Sequence, residues 1–203
     1  MLKSLYKRSM DVVFANFLWI LASLFGIFVT LGAATTAMFK VIYQIMTYDE
    51  PTSVVAEFKK SFKDNFWLST ALWMVLALLG VSLYFMYVYA LSNQLDVLLL
   101  FAIIGSYQWI VVFIYAFPMI AIFKTDKPLT MIKNILLMAN INLWTNIKVI
   151  GSLAAIFILV VFIHPAFLVI AIGLYGFLVS FHLKKQFEPY IKKLEHDIKE
   201  KSQ

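Results

Sequence analysis

Long runs of apolar residues, broken by short polar clusters, dominate the chain. The first run, Val12–Leu31, is about as long as the 20 residues that carry a helix across a bilayer. The next stretch, Gly32–Tyr48, is apolar but holds Lys40. Two strong runs follow, Phe66–Leu91 and Val97–Phe123, and then a longer one from Ile147 to Phe181. His164-Pro165 divides this last run, because proline cannot continue a helix. It therefore reads as a hairpin of Ile147–Ile163 and Pro165–Leu183. The pattern predicts an all-α, polytopic transmembrane bundle of six spans. The alternative has five spans, with Gly32–Tyr48 lying in the headgroup layer.

The basic residues favour six. With six spans every Lys and Arg except Lys40 falls on one side, and short turns near Gly32, Ser92-Asn93-Gln94 and His164-Pro165 occupy the other. That is the distribution expected when Lys and Arg mark the cytoplasmic side. Both termini are then cytoplasmic. With five spans, Lys3, Lys7 and Arg8 would lie opposite every other basic cluster.

The polar segments have patterns of their own. Pro51 and Thr52 suit a helix start. Val54, Val55, Phe58, Phe62 and Phe66 recur at helical spacing, with Lys59, Lys60 and Lys63 on the other side. This predicts a short amphipathic helix on the inner leaflet. The second inner loop repeats the style, with Leu129, Ile132, Leu136 and Leu137 against Lys127, Lys133 and Asn134. After Leu183 the chain alternates charges (Lys192, Lys193, Glu195, Asp197, Lys199, Glu200), as a solvated cytoplasmic helix does. The organisation is one transmembrane domain, 1–183, and a charged tail, 184–203.

Composition agrees. The 203 residues are 63% hydrophobic and 14% charged, against about 45–50% and about 25% in soluble domains. Lipid is the solvent implied. With no cysteine, disulfides, thiolate metal sites and cysteine nucleophiles are excluded. The net charge of +6 follows from the basic inner loops, and no aromatic-basic interleave points to nucleic acid. The first apolar run exceeds the roughly 7–15 residues of a signal-peptide core and reads as an uncleaved helix.

Chemistry is sparse. His164, His182 and His196 lack ligand spacing within a helix, and neither a G-x-S-x-G elbow nor a phosphate-binding loop occurs. No enzyme, metal or cofactor is expected. No acid lies deep in a span, which argues against ion-coupled transport. Thr36, Lys40, Gln44 and Thr47 fall on one helix face and form a candidate polar seam. It faces either a ligand path or a partner subunit, unless Lys40 simply snorkels to the headgroups. Asn16, Ser69, Thr70, Ser106, Gln108 and Ser180 are candidates for hydrogen bonds between helices.

Several stretches then form a familiar ordered set. Asn16-Phe17-Leu18-Trp19 is followed by Leu31-Gly32-Ala33-Ala34-Thr35-Thr36, by Phe58 to Phe66 with Phe62 and Asn65, by Phe117-Pro118, and by Ile132-Lys133-Asn134. In this order and spacing the chain resembles the YesL-like family of small bacterial membrane proteins, a family classed by an uncharacterised domain. Asn16, Trp19, Gly32, Thr35, Phe62, Asn65, Phe117, Pro118 and Asn134 are the matching positions. Ala33 stands where the family pattern has proline, so the turn there is less rigid. The resemblance implies a Gram-positive plasma-membrane protein and a role beside carbohydrate ABC importers. The expected function is a non-enzymatic accessory component of such a system, with ABC transporter subunits as partners. The alternative is a stand-alone transporter or channel. The bilayer is the other expected partner, no nucleic acid is, and homo-oligomerisation is open.

Overall fold

A computed structural model describes residues 2–26, 29–47, 53–123, 127–164 and 167–201. Among them every regular element is helical: α1 Leu2–Phe25, α2 Leu31–Thr47, α3 Val54–Ser92, α4 Asp96–Ile122, α5 Pro128–Ile141, α6 Leu143–Ile158 and α7 Leu168–Lys201. A π-helical turn, Leu159–Ile163, extends α6. Four segments are long and apolar enough to cross a membrane: Tyr6–Phe25, Val54–Ser92, Asp96–Ile122 and Leu143–Ile163. This is the composition of an integral membrane protein.

Side-chain pairs fix the directions. Thr30 bonds the Ala22 carbonyl and Trp19 bonds Thr35, so α1 and α2 are antiparallel. Thr36 meets Ser69 and Gln44 meets Glu57, so α2 and α3 are antiparallel too. Trp109 Nε1 donates to the Leu76 carbonyl at 2.7 Å, pairing α3 with α4. Ser152 faces His182 across α6 and α7. The basic segments therefore gather at one end of the bundle. Residues 26, 29 and 30, residues 93–95 and the break after Ile163 lie at the other.

α2 is the centre, packed on α1, α3, α4 and α7. Its buried residues begin with Gly32, Ala33, Ala34, Thr36 and Ala37. Small side chains let helix backbones approach closely where lipid offers no hydrophobic drive. A Cβ on Gly32 would collide with the Ser69 carbonyl and come within 2.7 Å of the Trp73 Cβ. Gly32 is thus a packing residue inside α2. The turn expected near it lies earlier, because α1 already ends at Phe25. At Gly173 a Cβ would sit 2.8 Å from that of Asn16, so α7 lies hard against α1.

The larger of two buried hydrophobic clusters reaches the basic end. There Phe117, Met119 and Ile120 of α4, Met131 and Ile135 of α5, and Leu183 and Phe187 of α7 form one buried cluster. A buried polar knot ties it. The Tyr115 hydroxyl lies 2.9 Å from both Asn146 Oδ1 and Gln186 Oε1. The amides of Asn146 and Gln186 donate to the Ala139 and Met138 carbonyls at 2.8 and 3.0 Å. Those carbonyls belong to the last turn of α5, which has no partners of its own.

Two expectations change. Residues 54–65 are not a separate surface helix. They run straight into the apolar segment as one helix of 39 residues, about 58 Å long, nearly twice a bilayer core. α5 buries Met131, Ile135, Met138 and Ala139, whereas Leu129, Ile132, Leu136 and Leu137 are exposed. The exposed stripe is the one the pattern laid towards the leaflet, and α5 meets the core through a second apolar face of methionine, isoleucine and alanine. The Thr70 hydroxyl is buried with no hydrogen-bond partner, rather than bridging helices. α7 continues as helix through Leu183 to Lys201, with Pro189 inside it. Pro51, Thr52, Pro165 and the side chains from Lys192 onward, His196 included, lie outside the described residues.

Candidate functional site

The polar residues of α2 meet those of α3 along one interface. Thr36 is fully buried, and its hydroxyl lies 2.8 Å from that of Ser69. Two turns on, half-buried Gln44 donates to Glu57 Oε2 at 3.0 Å. Half-buried Lys40 lies between them. α2 and α3 part around it into a cleft of about 510 Å³, walled by Lys40, Gln44, Glu57, Lys60, Asp64 and Asn65. Leu68 and the α4 residues Ile120 and Ala121 line it too, with Met131 of α5.

Polarity changes along the seam. At the basic end the cleft offers two cations, two carboxylates, two amides and the Ser61 hydroxyl. Towards mid-bundle its lining ends at Lys40 and Leu68; further along the same interface come the buried Thr36–Ser69 pair and then Gly32, pressed on α3. The four charges sum to zero, so the cleft suits a ligand with both donors and acceptors rather than a simple anion. Asn65 is held in place, its amide donating to the Ser61 carbonyl at 3.0 Å.

Of the seam residues, Lys40 and Gln44 line the cleft, Thr36 is buried one turn beyond the lining, and Thr47 is exposed and outside it. The motif positions separate likewise. Asn65 lines the cleft. Asn16 is buried on α1 and accepts from the Gly173 amide at 2.8 Å. Trp19 Nε1 donates to Thr35 at 2.9 Å. Phe62 stacks on Phe58 and sits tilted against Phe66, with ring centroids 6.3 and 5.6 Å away. Phe117 and Pro118 are buried in α4, and Asn134 is exposed on α5. Most of these residues join helices.

Sequence reasoning missed Glu57, Lys60, Ser61 and Asp64. Their signal was present, since positions 57, 61, 64 and 68 recur on one face of a helix. Reading 54–65 as a surface helix assigned that face to water.

A family described as "Protein of unknown function, DUF624" has a model that matches residues 12–87. The match starts in α1 and takes in all of α2 and most of α3, so both main walls of the cleft fall inside it. No curated protein and no solved structure matches the chain. Over α1 to α3, then, the chain is similar to an uncharacterised family.

Proposed function

We propose that this protein is a non-enzymatic, multi-pass membrane protein of six spans that serves as an accessory component beside a carbohydrate ABC importer in a bacterial plasma membrane. The observation that carries the accessory reading is the one-ended seam. A conduit needs polar groups along the whole bundle, and this seam is polar at the basic end and sealed by Thr36 and Ser69 in the middle. A cleft open at one end suits docking of a mixed-charge polypeptide segment. The basic end that frames it is the cytoplasmic end on the positive-inside rule. In this reading α2 and the apolar part of α7 are the fifth and sixth spans. α2 is 17 residues long, about 26 Å, and its lysine is sheltered by α3 rather than by lipid. The resemblance to the YesL-like family supports the sugar-import setting.

The test is a tagged pull-down from native membranes. Recovery of importer permease or ATPase subunits by wild type, and their loss with Lys40→Leu plus Glu57→Leu, is expected. Unchanged uptake of every tested sugar after gene deletion would oppose the reading.

A second reading, a self-contained small-solute transporter, is favoured by the size of the cleft, since small-molecule sites run about 300–1,000 Å³. Purified protein in liposomes would then move a solute, and Lys40→Leu would impair it.

A further inference from the structure

A second groove lies on the opposite flank of α2, between α1 and α7. Its volume is about 570 Å³. Its wall is apolar, formed by Val12 and Val13 of α1 and by Ile170, Leu174, Phe177 and Phe181 of α7. Val13 and Phe181 are exposed at 46% and 59%, so the groove opens sideways rather than into the bundle. Its charged lining is of one sign. Arg8 and Lys184 are the ionisable residues on the wall, both at the basic end, with Ser9 beside them. The α2–α3 cleft, by contrast, balances two lysines against two acids.

We propose that this groove binds one anionic phospholipid, with the phosphate at Arg8, Ser9 and Lys184 and an acyl chain along Val12, Val13, Leu174 and Phe177. Three observations fit this occupant. The cations sit at the end of the bundle where the polar segments gather, the level of a lipid headgroup. The groove runs from Lys184 to Ile170 along α7, about 21 Å at about 1.5 Å per residue, enough for the roughly 15 Å of one leaflet's hydrocarbon. Lys184 is already positioned, since its Nζ donates to the Met46 carbonyl at 3.1 Å. An ammonium has three donors, and the bond to α2 aims the rest. Asn16 and Gly173 on the wall bond each other, so the middle of the groove asks for no polar ligand atom. A water-soluble anion would leave the apolar wall uncovered, and a zwitterionic lipid would gain less from two cations.

This site is independent of the accessory role. The experiment is native mass spectrometry of the full chain, released from detergent with equimolar phosphatidylglycerol and phosphatidylcholine. Retention of one phosphatidylglycerol is expected, preferred by roughly thirty-fold, because each basic side chain near an anionic surface contributes about a factor of five. Arg8→Gln with Lys184→Gln should erase the preference. Val13→Trp, at an exposed position, should fill the groove and lower retention without lowering Tm. Millimolar inorganic phosphate should not compete. Equal retention of the two lipids, displacement by phosphate, or retention unchanged in both variants would overturn the assignment.

Discussion

Helix α2 and the outer half of the α3–α4 hairpin reverse the usual relation between polarity and burial. α2 holds three threonines, a lysine and a glutamine, yet ten of its seventeen residues are buried. Across residues 76–110 the hairpin is far more apolar, and there only Leu76, Ala90 and Ala102 are buried. Leu78, Phe85 and Phe101 are exposed at 65%, 65% and 63%. In water this hairpin would collapse onto the bundle. In lipid its apolar side chains already have a matching solvent, so nothing drives them inward. Burial goes instead to the helix with small residues that permit close approach and polar groups that need partners.

Substitutions sharpen the contrast. The largest effect is expected at Gly32. Gly32→Leu drives a side chain into the Ser69 backbone and should destabilise the fold by about 3 kcal/mol or more, measured by thermal unfolding in nanodiscs. Leu78→Ala in the hairpin should stay within about 0.5 kcal/mol. If the two are alike, the inverted burial is wrong. Tyr115→Phe comes next. It removes the one hydroxyl proton that the Asn146 and Gln186 oxygens share, a loss of about 1–2 kcal/mol. Thr36→Val preserves shape and removes the bond to Ser69. It should cost about 0.6 kcal/mol, as bonds between membrane helices do, and Ser69→Ala should add almost nothing to it in a double-mutant cycle. Ser82→Ala, at an exposed hydroxyl bonded within its own helix, should be the smallest and close to zero.

Much of this arrangement was legible in the chain. The apolar runs located the long helices, and Ser92-Asn93-Gln94 marked a real turn, with Gln94 at φ 54°. The break after Ile163 and the polar face of α2 were legible too. Periodicity fails where one face serves two environments. Residues 54–65 of α3 carry Lys59 and Lys63 outward and Glu57, Lys60, Ser61 and Asp64 onto the cleft, and a pattern cannot tell a solvated acid from one opposite Gln44. Nor could it pick which apolar face of α5 would meet α4. The Tyr115–Asn146–Gln186 knot joins residues 31 and 71 positions apart, and long-range partners of that kind leave no local signal.

The central claim is that α2 is enclosed by protein while the outer hairpin faces lipid. The chain has no cysteine, so single-cysteine variants can be spin-labelled without removing others. The measurement is the accessibility of labels at Ala37→Cys, Leu79→Cys and Phe101→Cys to oxygen and to a water-soluble nickel complex, by electron paramagnetic resonance in liposomes. The account predicts high oxygen and low nickel accessibility at positions 79 and 101, and low accessibility to both at 37. Oxygen reaching position 37 as freely as 79, or nickel reaching 79, would contradict it.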